Sequence, residues 1–192
     1  MNKQKTSKSS AKGSIRIISG KHRGRKLPVL MAEGLRPTTD RVKETVFNWL
    51  MPYMHESICL DCFAGSGGLG FEAQSRGAKS VTLIELNKAA AQQLEQNKAL
   101  LKANNITIEN TNTLTYLEKC TQKFSIVFID PPFRKGLIEQ TIDLLNNNRL
   151  ESSALIYIEM ESEEEIKAIP NNWQLLKEKK AGQVAYRLYQ NN

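Results

Sequence analysis

The 192-residue chain predicts a doubly wound α/β fold, with a mostly parallel sheet and an antiparallel C-terminal strand. Three observations point there. From Ser57 onward, short apolar runs alternate with helix-period segments and no internal repeat intervenes. The first of these runs opens into a glycine-rich turn followed by a helix. Three runs end in a carboxylate, at Asp61, Glu85 and Asp130, and in a parallel sheet the C-terminal strand ends line the ligand crevice. The last two runs lack a helix-sized connection, so their pairing is antiparallel.

The elements follow in order. Residues 1–13 are rich in Lys and Ser without periodicity and read as a disordered basic tail. Residues 14–52 form an N-terminal basic hairpin and helix. Ser14–Ile18 and Arg25–Leu30 are its strands around a glycine-bearing turn. The helix starts at Thr39 or Asp40 as cap, with Val42, Val46, Phe47, Trp49 and Leu50 along one side. Residues 53–192 make the α/β domain: strand Ser57–Cys62, helix Gly68–Arg76, strand Val81–Ile84 and helix Asn87–Ala103. A weak strand Ile106–Ile108, helix Thr113–Lys119, strand Phe124–Ile129 and helix Gly136–Leu145 come next. Strand Ala154–Ile158 ends at Glu159, and Trp173–Lys177 with Val184–Tyr189 closes the chain as a hairpin. The acidic Glu161–Glu165 stretch reads as a solvated helix start.

Charge is distributed unevenly. Residues 1–50 carry 12 basic and 3 acidic side chains, whereas residues 51–192 carry 15 and 17. A basic segment on a near-neutral body suggests a polyanion partner, or a solubilising tail. No apolar run approaches the roughly 18–20 residues of a membrane span, and Met1–Lys12 is not a signal peptide. Three cysteines without a secretory signal argue for a reducing cytoplasm. Cys59 and Cys62 form C-x-x-C, but within one strand they face opposite sides, and no second pair exists for zinc.

Gly65, Gly67 and Gly70 satisfy G-x-G-x-x-G, and Glu85 lies twenty residues beyond Gly65. By itself that is the dinucleotide fingerprint with its ribose-binding acid. Two features oppose an NAD site. Asp61 stands just before the turn, where it would repel a pyrophosphate, and Asp130-Pro131-Pro132-Phe133 has no role there.

The ordered set of Asp61-x-Phe63-Ala64-Gly65-x-Gly67, Glu85 and Asp130-Pro131-Pro132-Phe133 resembles class I S-adenosylmethionine (SAM)-dependent methyltransferases, a Rossmann-like fold. That resemblance implies SAM as cofactor, held by Asp61, Phe63, Ala64, Gly65, Gly67, Glu85, Leu86, Asn112 and Thr113. Gly65 and Gly67 would approach its methionine portion and Glu85 its ribose hydroxyls. Asn112 stands where relatives place an Asp toward the adenine amine. It departs from that pattern but keeps an acceptor oxygen.

Asp130, Pro131, Pro132 and Phe133 are the catalytic candidates. An exocyclic amine is a poor nucleophile because its lone pair is delocalised into the ring. Acceptors for both of its N–H groups favour a pyramidal nitrogen and direct the lone pair outward. Asp130 supplies one acceptor and the Pro131 carbonyl the other, on a turn that two prolines stiffen. Phe133 offers a face for base stacking, about 1–3 kcal/mol per base, or is a core aromatic. The motif alone allows adenine N6, guanine N2, cytosine N4 or a glutamine amide.

Two further stretches narrow the resemblance. Arg16-Ile-Ile-Ser-Gly20-x-x-Arg23-Gly24-Arg25-x-Leu27-Pro28 and Arg36-Pro37-Thr38-x-Asp40-Arg41-Val42-Lys43-Glu44, continued by Leu69-Gly-Phe-Glu-Ala-Gln-Ser-Arg-Gly-Ala78, are similar to the RsmD family. These are bacterial 16S ribosomal RNA guanine-N2 methyltransferases acting on the small subunit. The likeness runs from about Arg16 to Tyr189, and Cys62 and Gly68 depart from the Leu and Ala it leads one to expect. It implies methylation of a guanine N2 in 16S rRNA, within a small subunit or an assembly intermediate, by a cytoplasmic monomer. Arg16, Lys21, Arg23, Arg25 and Lys26 suit phosphate contacts, Arg36, Thr38 and Arg41 join them as RNA-binding candidates, and near the SAM crevice the base entrance is shaped by Thr38, Asp40 and Arg41. Capping and surface ion pairs are the other reading of those last three. An adenine-N6 methyltransferase on DNA or RNA, and a non-catalytic RNA-binding protein on the same fold, remain as alternatives.

Overall fold

A computed structural model describes residues 12–30, 38–133 and 135–192. Strands β1 (Lys12–Arg16) and β2 (Lys26–Leu30) pair antiparallel as a separate two-stranded sheet. Lys12 and Gly13, expected in the tail, instead pair with Leu30 and Val29. The other tail residues and Arg36 lie outside the described residues. Helix α1 (Asp40–Leu50) follows, capped by Thr39, whose side chain accepts from the Val42 N–H. It buries Val42, Val46, Phe47 and Leu50, while Trp49 is only half-buried against Tyr186.

The main sheet is built from β3 (Ile58–Asp61), β4 (Ser80–Ile84), β5 (Ile106–Glu109), β6 (Phe124–Ile129), β7 (Leu150–Glu161), β8 (Trp173–Ala181) and β9 (Val184–Asn191). Their order is β5-β4-β3-β6-β7-β9-β8. The first five are parallel neighbours, and β9 inserts antiparallel between β7 and β8. Order reverses between β3 and β6, the switch point at which doubly wound sheets open a crevice. Helices α2 (Gly68–Ser75), α3 (Lys88–Leu101), α4 (Thr113–Lys119) and α5 (Leu137–Asn146) make the connections. Among the described residues no helix is long and apolar enough to cross a membrane.

Two expectations are corrected. Strand β7 runs twelve residues, because Glu151-Ser152-Ser153, which looks like loop, is accommodated by a register shift against β6 and a positive φ at Ser153. In the Glu161–Glu165 stretch, Glu161 ends β7 and the rest is a turn and irregular chain. Ile166 and Ile169 pin it to the core and Pro170 follows, which leaves too few residues to offset the cost of helix nucleation.

The sheet separates two apolar layers. Cys59 belongs to one and Cys62 to the other, as their spacing in a strand requires. Ile15, Ile17, Leu27 and Val29 of the hairpin share the first layer with α1 and the inner face of β4. On α3, Gln93 and Asn97 are buried beside Leu94 because this face receives β2: the Asn97 amide donates to the Pro28 carbonyl at 2.9 Å.

The hairpin is also fastened by polar bonds. Glu72, fully buried, accepts from the backbone N–H groups of Ile18 (2.8 Å) and Ser19 (3.0 Å) and from Arg76 (2.7 Å). The Ser75 hydroxyl donates to the Ser19 carbonyl, and the N–H groups of Lys21 and His22 return to Ser75. Gly20 has φ +80°, and a Cβ there would lie 1.9 Å from the Ser75 carbonyl oxygen. Only glycine meets both conditions. Lys43, buried on α1, donates to the Arg16 carbonyl at 2.7 Å.

Candidate active site at the carboxyl edge of the sheet

The C-terminal ends of β3, β4, β6 and β7 open onto a cavity of about 610 Å³, within the size range of small-molecule sites. The glycine-rich loop, Glu85-Leu86, Asn112-Thr113, Asp130–Phe133 and the β8–β9 turn line it, with Thr38, Thr39 and Val42 at one side. Four carboxyl groups face it: Asp61, Glu85, Asp130 and Glu159. Among the described lining residues there is no Lys, Arg or His.

Asp61 ends β3, 1 % exposed, with Oδ1 unpaired among the described residues. Burial pushes its carboxyl up to about 7, against the pull of the Phe63 and Gly70 N–H groups. Gly70 is required by packing, since a Cβ would lie 2.0 Å from Leu83. Glu85 bridges the loop and α3: it accepts from the Gly65 N–H at 2.8 Å and the Asn87 N–H at 2.7 Å. Burial raises it, and these two bonds oppose the rise. Each oxygen keeps a lone pair for a ligand hydroxyl. Gly65 lines the cavity with φ +51°.

Gly67 behaves differently from expectation. It is buried beneath the loop and does not line the cavity, and a Cβ on it would strike the Phe71 ring at 2.5 Å and Leu94 at 2.7 Å. Its glycine serves the turn, with φ +79°. Asn112 reaches the cavity, but its Oδ1 caps α4 by accepting from Leu114 (2.9 Å) and Thr115 (3.3 Å). The acceptor expected to face an adenine amine is thus committed to the helix. Thr113 is buried and donates to the Cys62 carbonyl, tying α4 to the end of β3. Phe63 is half-buried, Ala64 buried and Leu86 exposed, and all three line the cavity.

Asp130 follows β6, partly open to the cavity, and Thr38 Oγ1 donates to its Oδ2 at 3.3 Å. Burial, then the charges of Glu159 and Asp61, raise its pKa well above the carboxylate range, and the Thr38 bond opposes them. Pro131 is buried, Pro132 exposed and Phe133 half-buried at the rim. Thr38, expected near the crevice and among the RNA-contacting residues, lines the cavity and meets the Asp130 carboxylate.

Glu159 and the β8–β9 turn were missed. Glu159 is 7 % exposed and its Oε2 accepts from the Tyr157 hydroxyl at 2.7 Å. It ends the apolar run Ala154–Ile158, a signal available in the sequence, although β7 continues past it to Glu161. The turn Ala181–Gly182–Gln183 reaches the cavity only through the antiparallel insertion of β9, which no local pattern reveals.

The basic residues lie elsewhere. Lys21, Arg23, Arg25, Lys26, Arg16 and Arg41 are exposed and do not line the cavity. Arg16 pairs with Asp40 at 2.9 Å, and Arg25 donates to the Leu100 carbonyl at 3.2 Å. Lys21, Arg23 and Lys26 have exposed side chains, although the Lys21 backbone N–H bonds Ser75 of α2.

Comparison with known proteins agrees with this architecture. The family described as Conserved hypothetical protein 95 matches residues 15–190. Ribosomal RNA small subunit methyltransferase D of Escherichia coli strain K12 is 57% identical over 94% of this chain and 92% of its own length. The Haemophilus influenzae protein of the same name is 57% identical over 95% and 96%. The solved structure of the Escherichia coli protein yhhF superposes with a TM-score of 0.89 at 54% identity, covering 94% of this chain and 99% of that one. With the family match spanning almost the whole chain and the fold and motif order in agreement, the chain belongs to the Conserved hypothetical protein 95 family, the RsmD family of methyltransferases.

Proposed function

We propose that the chain transfers a methyl group from SAM to the exocyclic N2 of a guanine in 16S rRNA. SAM-dependent methylation of 16S rRNA follows from its family and near relatives; guanine N2 is what the likeness to the RsmD family implies, since Asp130-Pro131-Pro132-Phe133 by itself does not choose among amines. The observation that carries it is a carboxylate-lined cavity, without a basic residue among those described, ending in Asp130-Pro131-Pro132-Phe133. Such a lining suits a cation-bearing cofactor and disfavours a pyrophosphate.

The residues present fit SAM. Asp61 Oδ1 is buried and unpaired among the described residues, so it awaits a hydrogen-bond donor. Glu85 would hold the ribose hydroxyls, with Gly65 and Ala64 beside the methionine portion and Leu86 with Thr113 flanking the adenine. When bound, SAM supplies an electrophilic methyl group. The protein's part is alignment. Asp130, one oxygen fixed by Thr38, accepts from the substrate amine with its other oxygen, and the Pro131 carbonyl accepts the second N–H. Phe133 stacks on the base, which leaves its helix to reach the cavity. Proton loss from the methylated nitrogen ends at Asp130 or at solvent.

Lys21, Arg23 and Lys26, with Arg41, contact phosphates outside the cavity, and the substrate is a small subunit or an assembly intermediate. The enzyme acts in the cytoplasm as a monomer. Labelling free 16S rRNA and purified small subunits with methyl-tritiated SAM, then identifying the modified nucleoside, tests this. N2-methylguanosine is expected; N6-methyladenosine would overturn it.

A further inference from the structure

Beside Asp130 stands a second carboxylate that the transfer as described does not use. Ile129 of β6 pairs with Ile158 of β7, so Asp130 and Glu159 are neighbours one residue beyond the last pair. Parallel strands lie about 4.8 Å apart. Their side chains share the sheet face of Phe128 and Tyr157, two residues back on each strand. Both line the same cavity, and Glu159 is among the charges that raise Asp130.

Glu159 is held firmly. The Tyr157 hydroxyl occupies Oε2 at 2.7 Å. The Tyr157 ring is wedged between Phe128 (centroids 6.2 Å apart) and Tyr186 (6.5 Å). No ion pair to Glu159 exists among the described residues, and Oε1 has no hydrogen-bond partner there. A buried carboxylate without a cation, with one oxygen anchored and the other open beside a catalytic acid, is costly to maintain for packing alone.

We infer that Glu159 is a specificity-determining residue that accepts the N1–H of the target guanine while Asp130 accepts from its N2 amine. The inference rests on the guanine-N2 reading above. Guanine presents N1–H and the N2 amine side by side, both donors, and two adjacent carboxylates match them. Adenine presents an N1 lone pair next to its N6 amine, which an ionised Glu159 repels. Asp130-Pro-Pro-Phe is indifferent to this difference, so the choice of purine falls to Glu159, with Tyr157 as its positioning residue.

The test compares two substrates with two enzymes. The target nucleotide, once mapped with wild-type enzyme, is replaced in the RNA by 2-aminopurine, which keeps the N2 amine but turns N1 into an acceptor. A hydrogen bond to a charged group contributes roughly 1.5–3 kcal/mol, so wild-type kcat/KM should favour guanine by about 10–150-fold. In Glu159→Gln the amide can donate to an N1 acceptor, so the preference should collapse to within about threefold. The glutamine still accepts from Tyr157, and an unchanged Tm verifies folding. Should that variant not fold, Tyr157→Phe carries the test, with a severalfold loss of preference expected. Equal slowing of both substrates, with the preference intact, would make Glu159 structural and sink the inference alone. A wild-type product other than N2-methylguanosine would remove both the inference and the reading beneath it.

Discussion

Two buried carboxylates on either side of α2 have opposite circumstances. Glu72, at the seam between the hairpin and α2, is fully buried and accepts from two backbone N–H groups and one guanidinium. Asp61, at the floor of the cavity, is 1 % exposed and leaves Oδ1 without a partner among the described residues. One is satisfied inside the protein, and the other requires a ligand to complete it. Burial is equal, so the difference lies in what the fold supplies: it separates a residue that fastens the hairpin from one that, on the proposed function, would meet the cofactor.

Breaking the seam should produce the largest change. Glu72→Ala leaves the Ile18 and Ser19 N–H groups and Arg76 without their acceptor. Removing one partner of a buried charged network costs about 3–5 kcal/mol. Chemical denaturation should show that loss, with SAM binding by the folded fraction kept. Loss of SAM binding with unchanged stability would reverse the two assignments. Next in size is Asp130→Ala. It should slow methyl transfer by about 10²–10³-fold, the usual effect of deleting one preorganised group at a reacting centre, while calorimetry shows SAM binding intact. Undiminished activity would refute the amine-orienting role.

Much of this contrast was legible in the sequence, unevenly. Asp61, Glu85 and Asp130 are readable because a parallel strand's end and its loop are local, and the sheet topology then gathers them. The hairpin was readable as two strands, but not as a docked element, because its acceptor Glu72 lies 54 residues from Ile18. Two of the stretches that carry the family likeness, around Gly20 and around Glu72, turn out to be the two halves of that seam. Ser19-Gly20 is therefore packing chemistry, and the exposed cations Lys21 and Arg23 follow it in the chain. Gly67 misled for the same reason: its motif position suggests a ligand, whereas Phe71 and Leu94 forbid a side chain there. Glu159 was visible as the end of an apolar run, but its anchoring by Tyr157 depends on tertiary packing.

The comparison predicts a smaller, pH-dependent effect at Asp61. Its folded-state pKa, about 7, lies above the ordinary aspartate value of 3.8, so the folded protein holds this proton more tightly than the unfolded chain. The stability this confers is complete below about pH 4 and is lost as pH rises through about 7. Asp61→Asn removes the ionisation. In the absence of SAM it should match wild type near pH 4 and exceed it at pH 8 by up to about 4 kcal/mol, while losing SAM affinity. Thermal melts of both proteins across that range measure the difference. A variant less stable than wild type at pH 8 would mean that Asp61, like Glu72, is satisfied within the fold.

The smallest effect belongs to the exposed side of the seam. Lys21 and Arg23 are exposed, and among the described residues no ion pair engages them. Arg16 is different, since Asp40 holds it. If phosphates are the partners of Lys21 and Arg23, each contact releases counterions, and the slope of log affinity against log salt falls by nearly one per contact removed. Lys21→Ala with Arg23→Ala should therefore weaken RNA binding severalfold at moderate salt and flatten that slope by between one and two. SAM affinity and Tm should stay put, because neither side chain reaches the cavity or the Glu72 network. Arg16→Ala should move the slope less and Tm more, since its loss leaves Asp40 beside Lys43 alone. If instead all three changes flatten the slope equally, the Arg16–Asp40 pair opens on RNA, and the docking surface includes the first turn of α1 as well as the hairpin.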